Sequence, residues 1–174
     1  MAEDATRPAA NDNLDSCERD EPMVEVTRLD FAAQFVIWGV RAWVQAFKTE
    51  EAFAAVTGQT FTRFNMQPAA LAIDGIMRVL AASALRPIDI RCTQCRYLSP
   101  DEAILLDAIA AGQGERYFVA TVALRKVMPG TAARLALPHV FDLARALAAA
   151  KMTLRPPAPS SADRPALTPS RTLH

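Results

Sequence analysis

The chain has 174 residues, 51% of them hydrophobic and 22% charged, which supplies apolar material for one sizeable core and makes a single domain the default. Nineteen basic and nineteen acidic side chains cancel, so no net field favours nucleic acid. Three cysteines do not make a disulfide framework at this length, and no basic segment followed by an apolar run opens the chain; both points predict a cytoplasmic protein.

Residues 1–22 hold seven acids and two arginines with almost no large apolar side chains, a composition that predicts a disordered acidic tail. Helical periodicity starts at about residue 23. The first predicted helix, Asp30 to Lys48, places Asp30, Gln34, Arg41, Gln45 and Lys48 in a polar arc of only about 60°. Gln34, Arg41 and Gln45 would each be costly in hydrocarbon, so a soluble buried helix is expected rather than a membrane span. Opposite the arc lie Ala32, Gly39 and Ala46, small residues that permit close approach of another helix, bordered by Phe35 and Trp43. A helix so apolar needs cover on several sides. It is either the central helix of a bundle or, around Phe35, Trp38, Gly39 and Trp43, part of an interface with another protein or a second copy of the chain.

Thr49 to Glu51 lead into a short helix that Gly58 is predicted to end, with residues 58–61 as a connector. Pro68 opens a helix that runs to about Leu85, with an Asp74/Arg78 pair on its wet face and Leu71, Ile73, Ile76, Met77 and Leu80 as apolar contacts. Pro87 stops it. Ile88-Asp89-Ile90 alternates but is too brief for a sheet strand.

Next comes Arg91-Cys92-Thr93-Gln94-Cys95-Arg96, a Cys-x-x-Cys pair between arginines, and then Ser99-Pro100-Asp101-Glu102, a strong helix start. Two thiols at this spacing can reach one zinc ion or exchange with a disulfide. A closed zinc site needs four ligands. Cys17 lies in the acidic tail and His174 at the C-terminus, so within one chain His139 is the plausible addition to Cys92 and Cys95. Two subunits could also complete a four-cysteine site. The bland alternative treats both cysteines as small hydrophobes in a connector.

The helix from Pro100 ends at Gly112, with Asp107 outward and Asp101 and Glu102 explained by the helix dipole. Residues 116–128 mix strand and helix formers and are assigned to helix, because no other segment offers a strand partner. A short helix from Thr131 to Leu137 and a last one from Pro138 to Met152 follow. Residues 153–174 are proline-rich and predict a second disordered tail.

The expectation is an all-α bundle of five to seven helices over residues 23–152. No phosphate-binding glycine loop and no nucleophile constellation is present. The chain therefore reads as a non-enzymatic accessory or regulatory protein that acts through protein binding. A small zinc- or thiol-dependent regulator, with or without DNA, is the alternative. The last helix carries few side chains able to read base edges, which makes nucleic acid the weaker partner.

Overall fold

The structure, a computed structural model, describes residues 24–155; both predicted tails fall almost wholly outside that span. Within it the chain is all-α, with six helices: α1 (Phe31–Lys48), α2 (Phe53–Arg63), α3 (Gln67–Ser83), α4 (Pro100–Gln113), α5 (Tyr117–Leu124) and α6 (Gly130–Ala149). Among the described residues the sole β-type pairing is an isolated antiparallel bridge between Glu25 and Tyr97. No described helix is long and apolar enough to cross a membrane.

Asp30 caps α1 by accepting the Ala33 N–H at 2.8 Å, and α1 packs against α2, α3 and α4. Its buried set includes Ala32, Phe35, Gly39, Trp43 and Ala46, so the small-residue stripe is covered within the chain. A Cβ on Gly39 would sit 2.8 Å from Ile73 Cδ1 and 3.5 Å from Phe61 Cζ. Gly39→Leu should therefore cost about 1–3 kcal/mol by overpacking, read as a lower thermal midpoint with no change in oligomeric state.

Two helices depart from the expectation. α2 runs straight through Gly58 because its inner face, Phe53, Thr57 and Phe61 at four-residue spacing, is anchored on both sides of the glycine. Thr57 and Phe61 are each 1% exposed, and Thr57 Oγ1 donates to the Phe53 carbonyl at 2.7 Å. The open position at Gly58, where a Cβ meets nothing within 4 Å, makes the opposite prediction to Gly39. Gly58→Ala should raise stability by about 0.5–1 kcal/mol, seen as a higher denaturation midpoint at unchanged slope.

Likewise α6 is one helix rather than two. Pro138 has no N–H for the Arg134 carbonyl, but it lies on the exposed side, while Ala133, Ala136, Val140, Leu143 and Leu147 bury the inner side continuously across it. α6 forms its broadest seam with α3, where the His139 ring lies directly over Gly75. Leu71, expected to pack inward, is 74% exposed. α6 also packs on α4 and α5, which joins the two halves of the bundle into one core cluster.

The described residues after Met152 pack against the bundle. Leu154 is buried, and Gln113 clasps the segment by donating Nε2 to the Met152 carbonyl and accepting the Leu154 N–H, both at 2.8 Å. Arg155 N–H reaches back to Asp30 Oδ2 at 2.8 Å.

Candidate functional site

Residues 84–99 join α3 to α4 without secondary structure of their own, an unusual length for a connector inside a small bundle. Two neighbouring carboxylates in the first turn of α4 organise it. Asp101 accepts both Nη atoms of Arg86, at 2.7 and 2.5 Å, and the Asp89 N–H at 2.8 Å. Glu102 closes a capping box with Ser99, accepting the Ser99 N–H at 2.9 Å while its own N–H donates to Ser99 Oγ at 3.1 Å. Ser99 Oγ in turn donates to the Asp89 carbonyl, and Arg91 N–H donates to Glu102 Oε1 at 3.1 Å.

Arg41 completes the knot from α1. Its Nε and Nη2 meet Glu102 Oε1 and Oε2 at 2.7 and 2.8 Å, the two-pronged geometry in which guanidinium binds carboxylate best. The remaining donors reach the Cys95 carbonyl at 2.6 Å and the Tyr97 carbonyl at 2.8 Å. The side chains of both partners are almost wholly removed from water, at 2% and 0% exposure. Burial alone would weaken the hold of Arg41 on its proton, but the Glu102 carboxylate more than offsets that and raises it above its ordinary value.

This arrangement positions the cysteine turn. Cys95 N–H donates to the Cys92 carbonyl at 3.1 Å, closing a turn over Thr93 and Gln94. Beyond it, Val26 N–H to the Arg96 carbonyl and Leu98 N–H to the Val24 carbonyl, both 2.9 Å, pin the outgoing strand-like segment, with Arg96 paired to Glu25 at 2.9 Å. The Cys92 thiol titrates above its usual value, through partial loss of water around it and a hydrogen bond with the Cys95 side chain.

His139, on α6 against α3, is not gathered with the cysteines: no group of three or more His, Cys, Asp or Glu side chains able to hold a metal occurs among the described residues. Cys17 and His174 lie outside them. Of the residues expected at an interface, Phe35 and Trp43 are 7% exposed, Gly39 is buried and Trp38 is half-buried against the core. They build the inside of the bundle. Trp43 Nε1 donates to Asp74 Oδ1 at 2.8 Å, and Asp74 Oδ2 takes the expected Arg78 pair at 2.8 Å. Trp43 also stacks on Phe47, with centroids 5.3 Å apart, at the wall of an open cleft of about 460 Å³ between α1, α2 and α3.

Apolar side chains face solvent at several places, among them Phe31, Phe47, Phe64, Leu71 and Leu135, and they are densest on α5. Phe118 is 81% exposed, Tyr117 59%, and Val119 and Val122 are exposed as well; only Ala120, Ala123 and Leu124 point inward. Tyr117 stacks on Phe141 of α6 at 4.1 Å between centroids. Exposed Arg116 precedes Tyr117, and exposed Arg134 and Arg145 share the Phe141 side of α6. Of the expected helix over residues 116–128 the structure forms Tyr117–Leu124, and sequence alone does not separate its inner face from its outer one, because nearly every position is apolar. Comparison of the chain with protein-family models, with curated proteins and with solved structures finds no match.

The Arg86–Asp101 pair makes the fold acid-sensitive. The Arg86 guanidinium, with help from the Asp89 N–H, holds the Asp101 carboxyl below its ordinary range despite its burial. An unfolded chain then binds a proton at Asp101 before the folded one does, so this stability is present at neutral pH and lost as pH falls through the folded value. Asp107 works in the opposite sense, since burial raises its carboxyl and Lys126 only partly offsets that. Asp101→Asn should cost about 1–2 kcal/mol at pH 7 and flatten the acid limb of the stability profile, measured by urea unfolding from neutral pH downward.

Proposed function

We propose that this protein is a non-enzymatic accessory or regulatory protein of the cytoplasm, acting by binding another protein through the outer face of α5. The observation that carries this reading is the exposed row Tyr117, Phe118, Val119 and Val122, continued onto α6 by Phe141. Contiguous exposed aromatic and aliphatic side chains on a small body usually mark an interaction site. The charged rim indicates the chemistry of the partner. Arg116, Arg134 and Arg145 stand nearby, the last already paired with Asp142, so the surface suits an acidic segment with apolar anchors, such as one face of an acidic amphipathic helix. The non-catalytic part of the reading rests on the titratable groups that converge at the α4 start. Each carboxylate there is engaged by a guanidinium and by backbone N–H groups, an arrangement that builds structure.

The test is fluorescence anisotropy with labelled amphipathic peptides of matched apolar pattern, one acidic and one basic, against the full chain. The acidic peptide should bind with an affinity that weakens as salt rises, and Phe118→Asp should weaken it by about tenfold or more without moving the thermal midpoint. Equal binding of both peptides, or an unaffected Phe118→Asp variant, would defeat the reading. Sedimentation of the full chain covers the other occupant: a dimer dispersed by Phe118→Asp would make a second copy the partner.

A further inference from the structure

The cysteine turn is left over by that reading, and its geometry supports a chemistry of its own. A four-residue turn closed by an N–H to C=O bond holds its first and last Cα atoms within about 7 Å. A disulfide needs Cα atoms about 4.4–6.8 Å apart. Cys92 and Cys95 occupy those first and last positions, with the closing bond at 3.1 Å. Both ends of the turn are held against the body. Arg41 grips the Cys95 carbonyl at 2.6 Å, and the Arg91 N–H just before Cys92 is tied to Glu102 at 3.1 Å. The two thiols therefore meet on a braced backbone, where the entropy of bringing them together is already lost on folding. Cys92 is exposed and Cys95 half-buried, so an external reagent reaches Cys92 first.

We propose that Cys92 and Cys95 form a reversible dithiol–disulfide pair whose oxidant is a small-molecule disulfide of the glutathione class. The Cys92 thiolate attacks one sulfur of that disulfide; a bond forms to Cys92 Sγ, the reagent's S–S bond breaks, and one thiolate leaves and takes up a proton. The Cys95 thiolate then attacks Cys92 Sγ, forming the Cys92–Cys95 bond and expelling the second thiolate, which is protonated in turn. Two protein thiols are oxidised and one disulfide is reduced to two thiols, with the two protons passing from the cysteines to the released thiols. The bonds from Arg41 and to Glu102 involve backbone atoms and persist through both steps. Because the Cys92 thiol titrates above its usual value, its attack on the reagent is slow at neutral pH and speeds up by about tenfold for each unit by which pH rises toward that value.

The test uses the full chain carrying Cys17→Ser, equilibrated in buffers of varied reduced and oxidised glutathione, quenched with an alkylating reagent and digested with trypsin. Cleavage after Arg91 and Arg96 releases one peptide holding both cysteines. In oxidising buffer that peptide should resist alkylation and be lighter by two hydrogen atoms, and it should revert in excess reduced glutathione. Cys95→Ser, which leaves the backbone carbonyl that Arg41 holds, should instead trap the glutathione adduct on Cys92 at about tenfold or greater occupancy than the chain with both thiols. Circular dichroism of that variant confirms that the fold is intact. Persistent adducts in the presence of Cys95, disulfides between chains, or two thiols that remain alkylatable in the most oxidising buffer would each overturn the proposal.

Discussion

Glu102→Ala is expected to be the most damaging single change in this chain, costing about 3–5 kcal/mol. The residue is fully buried and its two oxygens serve four donors: two on Arg41 and the backbone N–H groups of Arg91 and Ser99. Alanine leaves an uncompensated guanidinium in a site with almost no water and orphans two N–H groups beside it. Urea unfolding should show a midpoint far below that of the native chain. The double change Arg41→Met with Glu102→Leu is expected to restore only part of the loss. It removes the stranded charge, but the Cys95 and Tyr97 carbonyls that Arg41 serves then lose their donors as well. A double variant as stable as the native chain would mean that the connector does not depend on the pair.

Phe61→Ala is the second large effect, also about 3–5 kcal/mol, for a reason of packing rather than charge. Phe61 is 1% exposed and forms the hub of an aromatic cluster, with ring centroids 5.3 Å from Phe35 in an edge-on arrangement, 5.6 Å from Trp38 and 6.0 Å from Phe53. Its loss opens a cavity between α1 and α2 that Gly39, on the facing helix, has no side chain to fill. Thermal unfolding measures the cost, and Trp38 reports it locally: its emission should move to longer wavelength in the folded variant as water enters. A midpoint lowered by less than about 1 kcal/mol would show that the cluster collapses around the gap.

The helices were legible wherever local signals and tertiary demands agreed. Ser99-Pro100-Asp101-Glu102 marks a helix start by capping chemistry alone, and α4 begins there. Gly58 and Pro138 show the reverse. Each is a strong local breaker, yet each sits on the outer side of a helix whose inner side chains, Thr57 and Phe61 or Ala136 and Val140, gain more from burial than the breaker loses. That gain depends on partners far along the chain, which no window of sequence contains. Arg41 was hidden for the same reason: its place in the polar arc of α1 suggests a wet face, whereas its partner stands 61 residues away on α4. Asp101 and Glu102 do suit the helix dipole, and that sufficient local explanation concealed their larger role in shaping the connector. The exposed face of α5 was unreadable because periodicity needs contrast, and Tyr117 to Leu124 offers almost none.

Asp30 has a consequence for how the body could be handled or loaded. One oxygen caps α1 and the other holds the backbone of Arg155, 125 residues further on, so the places where the chain joins and leaves the helical body lie side by side. A body whose ends meet can be spliced into a surface loop of a host protein without stretching the host, or rejoined head to tail and opened at an exposed turn such as Gly114–Arg116. A mechanical pull from Asp30 to Arg155 would load this clasp directly, whereas a pull from Val24 would first load the backbone bonds that tie Val24 and Val26 to Leu98 and Arg96.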